Sequence, residues 1–384
     1  MSRHLTTQDL PPVTGAWREG DPVGSRRFTD VGPLTLESGE KLPAVTLAHE
    51  TWGEWRGDNA VLVLHALTGD SHVAGPAGPG HPSPGWWDEV VGPGRALDTD
   101  RWFVVAANIL GGCQGSTGPS SSAPDGTPWG SRFPDLTVRD QVAAEVALAD
   151  HLGIERWHAV IGGSAGGMRA LEWAVEHPER VERLMLLATS AQASAEQIAW
   201  SSVQQAAITA DAHFHGGDYY AAERGPVAGL DVARRAAHVA YRSEPELQQR
   251  FGRGREDPAG VPGRGRQVRY SVTSYLEHHG AKLARRFDAN SYLVLTRAMD
   301  SHDVGRDRGG VAAALARVTA RTLVAGIDSD RLYPIAQQQE LADLLPGTDG
   351  LRVVRSLHGH DGFLVESEQV GALVRELLAG RPGS

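Results

Sequence analysis

The six residues Gly162-Gly163-Ser164-Ala165-Gly166-Gly167 restrict this chain more than any others. An apolar run, Trp157-His158-Ala159-Val160-Ile161, leads into them, and a helical pattern, Met168-Arg169-Ala170-Leu171-Glu172-Trp173-Ala174, leads out and ends near His177-Pro178. A buried strand, a sharp glycine-rich turn and a helix form the context of a G-x-S-x-G nucleophile elbow. Glycines at 162, 166 and 167 let the backbone turn tightly and bring helix close to strand. The Ser164 hydroxyl then stands at a helix N-terminus, where backbone N–H groups favour developing negative charge. A serine hydroxyl is a weak nucleophile and needs a base to take its proton, so partners are required downstream.

The surrounding pattern is that of an α/β protein. Continuous apolar runs at Ala60–His65, Phe103–Asn108, Arg183–Thr189 and Thr322–Ile327 read as strands covered on both faces. They alternate with helical stretches at Val138–Leu152, after the elbow, at Ile335–Leu345 and at Ser367–Leu378, as a mostly parallel central sheet with helices on both faces requires. The runs between Leu34 and Trp52 suit an N-terminal antiparallel hairpin, and Leu351–Ser356 a last strand. Residues 1–30 are expected to form an N-terminal arm or tail. Residues 31–190 and 314–384 are expected to form the core. Residues 191–313 change character, with helical patterns at Ala195–Ala210, Val227–Tyr241, Val268–Arg286 and Ser291–Met299 and an exposed loop at Gly252–Gly260. They are read as an inserted helical lid over the carboxyl ends of the strands.

Composition removes several classes of function. The 37 basic and 47 acidic side chains give a formal charge of −10, which attracts neither nucleic acid nor an anionic membrane. A single cysteine, Cys113, permits no intrachain disulfide and no cysteine-ligated zinc site. Met1–Leu10 lacks an apolar signal segment and no run is long enough to span a bilayer, so a cytoplasmic protein is expected.

An α/β-hydrolase triad runs in the order serine, acid, histidine, the last two on loops after later strands. After the strand at Leu323–Ile327 come Asp328 and Asp330; Pro334, four residues beyond, favours Asp330. After the last strand come His358 and His360, of which His360 precedes the turn into the final helix and suits the base. His360 then takes the Ser164 proton and Asp330 orients the imidazole. The oxyanion donors are expected at the N–H groups of Ala165 and Leu67. His65 and Asp70 flank that second turn and are read as structural. Cys113 has no histidine placed to activate it. Gly75, Gly78 and Gly80 open no helix, and His278-His279 lack companion metal ligands, so no metal or bound cofactor is expected. The long segment Leu110–Ser121 is too rich in glycine and serine to build a core and is expected to shape a site.

Four segments together go beyond a generic hydrolase: His65-Ala66-Leu67-Thr68-Gly69-Asp70, Asn108-Ile109-Leu110-Gly111-Gly112-Cys113-Gln114-Gly115-Ser116-Thr117-Gly118-Pro119, the elbow, and Gly359-His360-Asp361-Gly362-Phe363-Leu364. The chain closely resembles the homoserine O-acetyltransferase family, in an actinobacterial form, from about Thr29 to Leu378. The resemblance implies an α/β-hydrolase fold, a lid that forms a homodimer, and ping-pong acetyl transfer from acetyl-CoA to L-homoserine through Ser164. It assigns Ser164, Asp330 and His360 the triad roles. It also makes Arg234 the partner of the substrate carboxylate and Asp361 the carboxylate near its amino group. A guanidinium suits a carboxylate in bidentate fashion. The family commonly has methionine where Ala165 stands, which leaves a succinyl donor, and likewise L-serine as acceptor, as alternatives. An esterase using the same triad with water is the alternative from another class.

Overall fold

Alternation within each central strand decides how the sheet is covered. In the computed structural model, which describes residues 12–256 and 269–379, eight strands form one sheet. They are β1 (Arg27–Thr35), β2 (Lys41–Trp52), β3 (Ala60–Leu64), β4 (Phe103–Ala107), β5 (Ala159–Gly163), β6 (Arg183–Leu187), β7 (Arg321–Ile327) and β8 (Thr348–Val354). Their order is β1-β2-β4-β3-β5-β6-β7-β8. The first two strands are antiparallel to each other, and β2 is antiparallel to β4; all other pairs are parallel.

Leu62 and Leu64 of β3, Val160 of β5, and Leu184 and Leu186 of β6 face one layer. It contains α1 (Val138–His151) and α2 (Ala165–Glu176). Their neighbours Val61, Val63, Ile161, Met185 and Leu187 face the other layer, built around the C-terminal helix Ser367–Leu378 and Trp87. Both faces are therefore dry, which is why these strands read as unbroken apolar runs. The start of α1 is set by a capping box between Thr137 and Asp140.

Between β6 and β7 lie α3 (Ala195–Thr209), α4 (Val227–Tyr241), α5 (Glu244–Phe251), α6 (Ser271–Ala284), α7 (Ala289–Asp300) and α8 (Val311–Leu315). Helices α5 and α8 were not legible in the sequence pattern. The exposed loop expected at Gly252–Gly260 differs in its described part: Arg255–Glu256 pairs antiparallel with Arg269–Tyr270, and 257–260 lie outside the described residues. Phe287, Tyr292, Leu230 and Leu283 of the insertion share one apolar cluster with Leu67 and Ala165, so these helices pack onto the elbow end of the sheet. Of the expected arm, residues 12–30 are described, and its last four, Arg27–Asp30, belong instead to β1. Gly15 N–H donates to Phe287 O and Trp17 N–H to Cys113 O, tying this segment to the insertion and to the Leu110–Ser121 loop.

The elbow rests on close backbone approach. A Cβ on Gly166 would overlap the Leu64 carbonyl, and one on Gly162 would overlap the Gly166 carbonyl. Ser164 is consequently held at φ 55°, ψ −125°, a conformation costly for a residue with a Cβ. Gly166→Ala is expected to lower stability by at least about 2 kcal/mol, because backbone rather than a yielding side chain blocks the new methyl. A urea midpoint equal to that of the unaltered chain would refute this.

Candidate active site

The turn β5–Ser164–α2 fixes the serine from several sides. Ser164 N–H donates to Leu187 O at 2.9 Å, and Ser164 O accepts from Gly167 N–H at 2.9 Å and from the Thr189 hydroxyl at 2.9 Å. The side chain is thereby aimed at the loop after β8. There His360 Nε2 lies 2.8 Å from Ser164 Oγ, and His360 Nδ1 lies 2.6 Å from Asp330 Oδ2. Asp330 Oδ1 accepts from the N–H groups of Leu332 and Tyr333 at 2.8 and 2.9 Å. Its carboxylate is thus oriented before it meets the imidazole, and Nδ1 carries the proton donated to it. All three side chains are buried.

The sequence alternatives separate cleanly. Asp328 is exposed and accepts from Ser356 N–H, while His358 points to Glu246 at 3.1 Å. Burial disfavours the His360 imidazolium. The Asp330 charge and hydrogen bond outweigh that and hold its pKa above the ordinary histidine value. Tyr333 stacks on the ring at 4.9 Å and excludes water from that side.

The turn after β3 stands opposite. Leu67 shares a cluster with Ala165. The Ala165 N–H belongs to the first turn of α2, where no intrahelical acceptor exists. His65 shapes this turn. Its Nδ1–H donates to Ala66 O at 2.7 Å and its Nε2 accepts from Ile109 N–H at 3.1 Å. That arrangement needs the neutral ring, and burial beside Arg169 pushes its pKa down to about 3. The His65 carbonyl accepts from Arg169 at 2.6 Å, and Arg169 is paired in the interior with Glu145, which also accepts from Trp173 at 2.9 Å. Cys113 is buried in the same cluster, and burial raises its thiol pKa, so it remains an inert wall.

A cavity of about 260 Å³ opens over this turn and reaches Asp361, next to His360. Among the described residues its charged lining is Arg234, Arg242, Lys282 and Arg286 against Asp70 and Asp361. Arg234 lies over the Tyr241 ring at 5.5 Å and donates to Thr68 Oγ1 at 3.3 Å. Arg286 donates to Thr68 O at 2.9 Å. Arg234 and Asp361 thus border one cavity, as do His238 and His279. His278 is not part of its lining.

The profile of the alpha/beta hydrolase fold matches residues 59–367. A protein of Thermobifida fusca named homoserine O-acetyltransferase is 63% identical over 380 residues, covering 98% of this chain and 99% of its own. This chain belongs to the homoserine O-acetyltransferase family. Among solved structures, the homoserine O-acetyltransferase of Bacillus anthracis superposes with a TM-score of 0.83 at 27% identity, over 94% of this chain and 98% of its own. Esterase E22 superposes equally well, with a TM-score of 0.82 at 28% identity over 92% of this chain and 99% of its own. Overall shape therefore does not separate transferase from esterase, and the near-full-length identity does.

Several residues of this family member escaped the sequence reading. Tyr241 follows Arg234 by two helical turns on α4, and that spacing could have found it. Tyr333 and Arg242 carried no such signal. Glu50, His72 and His81 come together in space, their ligand-type atoms within 4.8 Å of one another, although nothing in their spacing suggested a cluster. Glu50 accepts from Ser71 Oγ at 2.8 Å and from His72 Nδ1 at 3.0 Å, and the His72 and His81 rings stack at 3.8 Å. Ser25 N–H donates to His81 Nε2 at 3.1 Å. A backbone N–H aimed at that nitrogen opposes a cation there, and the cluster ties β2 to the turn after β3.

The raised His360 pKa has opposite consequences for activity and stability. The protonated ring is favoured by folding, so its stabilisation is present at low pH and is lost as pH rises through the folded pKa. Proton abstraction needs the neutral ring, so kcat/KM is expected to fall as pH drops through a midpoint above 6.5. Asp330→Asn should move that midpoint down. A pH–rate profile with the same midpoint in both proteins would exclude Asp330 as the cause.

Proposed function

We propose that this chain transfers the acetyl group of acetyl-CoA to the side-chain hydroxyl of L-homoserine, the first committed step of methionine biosynthesis. The 63% identity over nearly the whole chain carries the reading. The hydrogen-bond chain from Ser164 through His360 to Asp330 supplies its chemistry.

In this mechanism His360 Nε2 takes the Ser164 proton as Oγ attacks the thioester carbonyl. The oxyanion is met by the N–H groups of Leu67 and Ala165; losing one such donor typically costs about 10²–10³ in rate. Collapse expels the CoA thiolate, which receives the proton from His360 and leaves an acetyl ester on Ser164. The homoserine hydroxyl then gives its proton to His360 and attacks that ester. The second tetrahedral species releases O-acetylhomoserine, and Ser164 recovers its proton. Asp330 stabilises the imidazolium at both stages.

Arg234 takes the homoserine carboxylate and Asp361 its ammonium group. Lys282 and Arg286, also in the cavity lining, suit a donor that carries phosphates. No cofactor beyond acetyl-CoA as co-substrate is required. Residues 191–313 act as the lid and keep water from the acyl-enzyme. Ile198 and Val203 of α3 and Val232 of α4 are exposed apolar side chains of that insertion, which supports a homodimer formed through it. Among the described residues no helix is long and apolar enough to cross a membrane, in keeping with a cytoplasmic enzyme.

CoA release from acetyl-CoA should require homoserine and vanish in Ser164→Ala. Release of equal rate without an acceptor would make the chain a hydrolase. Release with serine but not homoserine would keep the mechanism and change the substrate.

A further inference from the structure

Asp361 already has a cationic partner. Arg242 Nη2 lies 3.1 Å from Asp361 Oδ2, and Arg242 Nη1 lies 3.0 Å from Glu246 Oε1. Glu246 in turn meets His358 at 3.1 Å. The network joins the C-cap of α4, the first turn of α5 and the loop that carries His360. Its backbone is equally constrained. Gly359 sits at φ 63° with its α-carbon against the Tyr241 carbonyl, where a Cβ would overlap it, and the Ser243 hydroxyl donates to Leu357 O. The base loop and the end of α4 therefore hold one fixed relation, and Arg242 projects from that joint. Asp361 itself borders the cavity.

Arg234 lines the same cavity and lies over the Tyr241 ring at 5.5 Å. A carboxylate and a guanidinium in one partly dry cavity attract each other strongly. A carboxylate that turns onto a guanidinium of the same cavity cancels it as a contact for a zwitterion. We propose that Arg242 is a positioning residue that holds Asp361 away from Arg234, keeping separate anionic and cationic subsites open for the head group of an amino-acid acceptor. This rests on the assignment of Asp361 and Arg234 to the acceptor made above. Arg242 touches neither the thioester nor the acyl-serine, so it works on acceptor binding and not on the first half-reaction.

The test is steady-state kinetics with homoserine and acetyl-CoA on Arg242→Gln, Arg242→Lys, Asp361→Asn and the double variant Arg242→Gln/Asp361→Asn, each with its thermal midpoint recorded. Arg242→Gln is expected to raise KM for homoserine about tenfold, the loss of one charge-assisted contact, with a much smaller change in KM for acetyl-CoA. Arg242→Lys should recover most of that loss, and the double variant should bind homoserine no worse than Asp361→Asn alone. A merely structural role would lower kcat and the thermal midpoint without this split. An Arg242→Gln effect that persists in full in the Asp361→Asn background, or one confined to acetyl-CoA, overturns the proposal. If Asp361→Asn leaves homoserine KM unchanged, the acceptor assignment itself falls. If Asp361→Asn raises it and Arg242→Gln does not, only the positioning role falls.

Discussion

The contact between the Gly166 α-carbon and the Leu64 carbonyl sets the distance between α2 and the central strands. Everything chemical in the molecule depends on that distance. With α2 so close, the chain leaving β5 has room for only one tight turn, and Ser164 must take it at φ 55°. Hydrogen bonds to Leu187 and from Thr189 hold the strained residue in place. The same approach brings the first N–H groups of α2 beside the turn after β3, so Ser164 and the proposed oxyanion donors share one framework. Strain of this kind persists only where the surroundings over-determine it, and here they do.

Charge burial around the elbow follows a consistent logic. Arg169 is buried, yet it is paired with Glu145 and donates to the His65 carbonyl. Burial, helped by that guanidinium, keeps His65 neutral, and the neutral ring is what can both donate to Ala66 and accept from Ile109. His360 stands under the opposite influence, with a carboxylate as its neighbour, and its pKa rises. Two buried histidines in one site thus shift in opposite directions, because only His360 has a carboxylate beside it to outweigh burial. Only the second is placed to exchange a proton with Ser164.

Much of the fold was legible because the buried strands have no polar alternation to confuse them. Runs such as Ala60–Leu64 and Arg183–Leu187 have to lie between two dry layers. Helices α4 and the C-terminal one matched their apolar period to the residue. Helix α5 was missed because Glu244-Pro245-Glu246 opens a short polar segment with little apolar stripe, and its ordering comes from Ser243 capping and from Arg242 and His358 gathered on Glu246. The choice of Asp330 over Asp328 rested on Pro334. In space it rests on which carboxylate the loop turns inward to receive two backbone N–H groups.

The sequence by itself determined the elbow, the order in which serine, acid and histidine occur, and the layers of the sheet, because each follows from local sterics or short-range periodicity. Only the tertiary structure decided which side chains converge from distant segments. Glu50, His72 and His81 meet across a loop, Tyr333 stacks on His360, and Arg242 reaches Asp361 from a different element. Such pairings depend on how the inserted helices dock on the sheet. Docking is set by the fit of many apolar surfaces at once, which no spacing along the chain encodes.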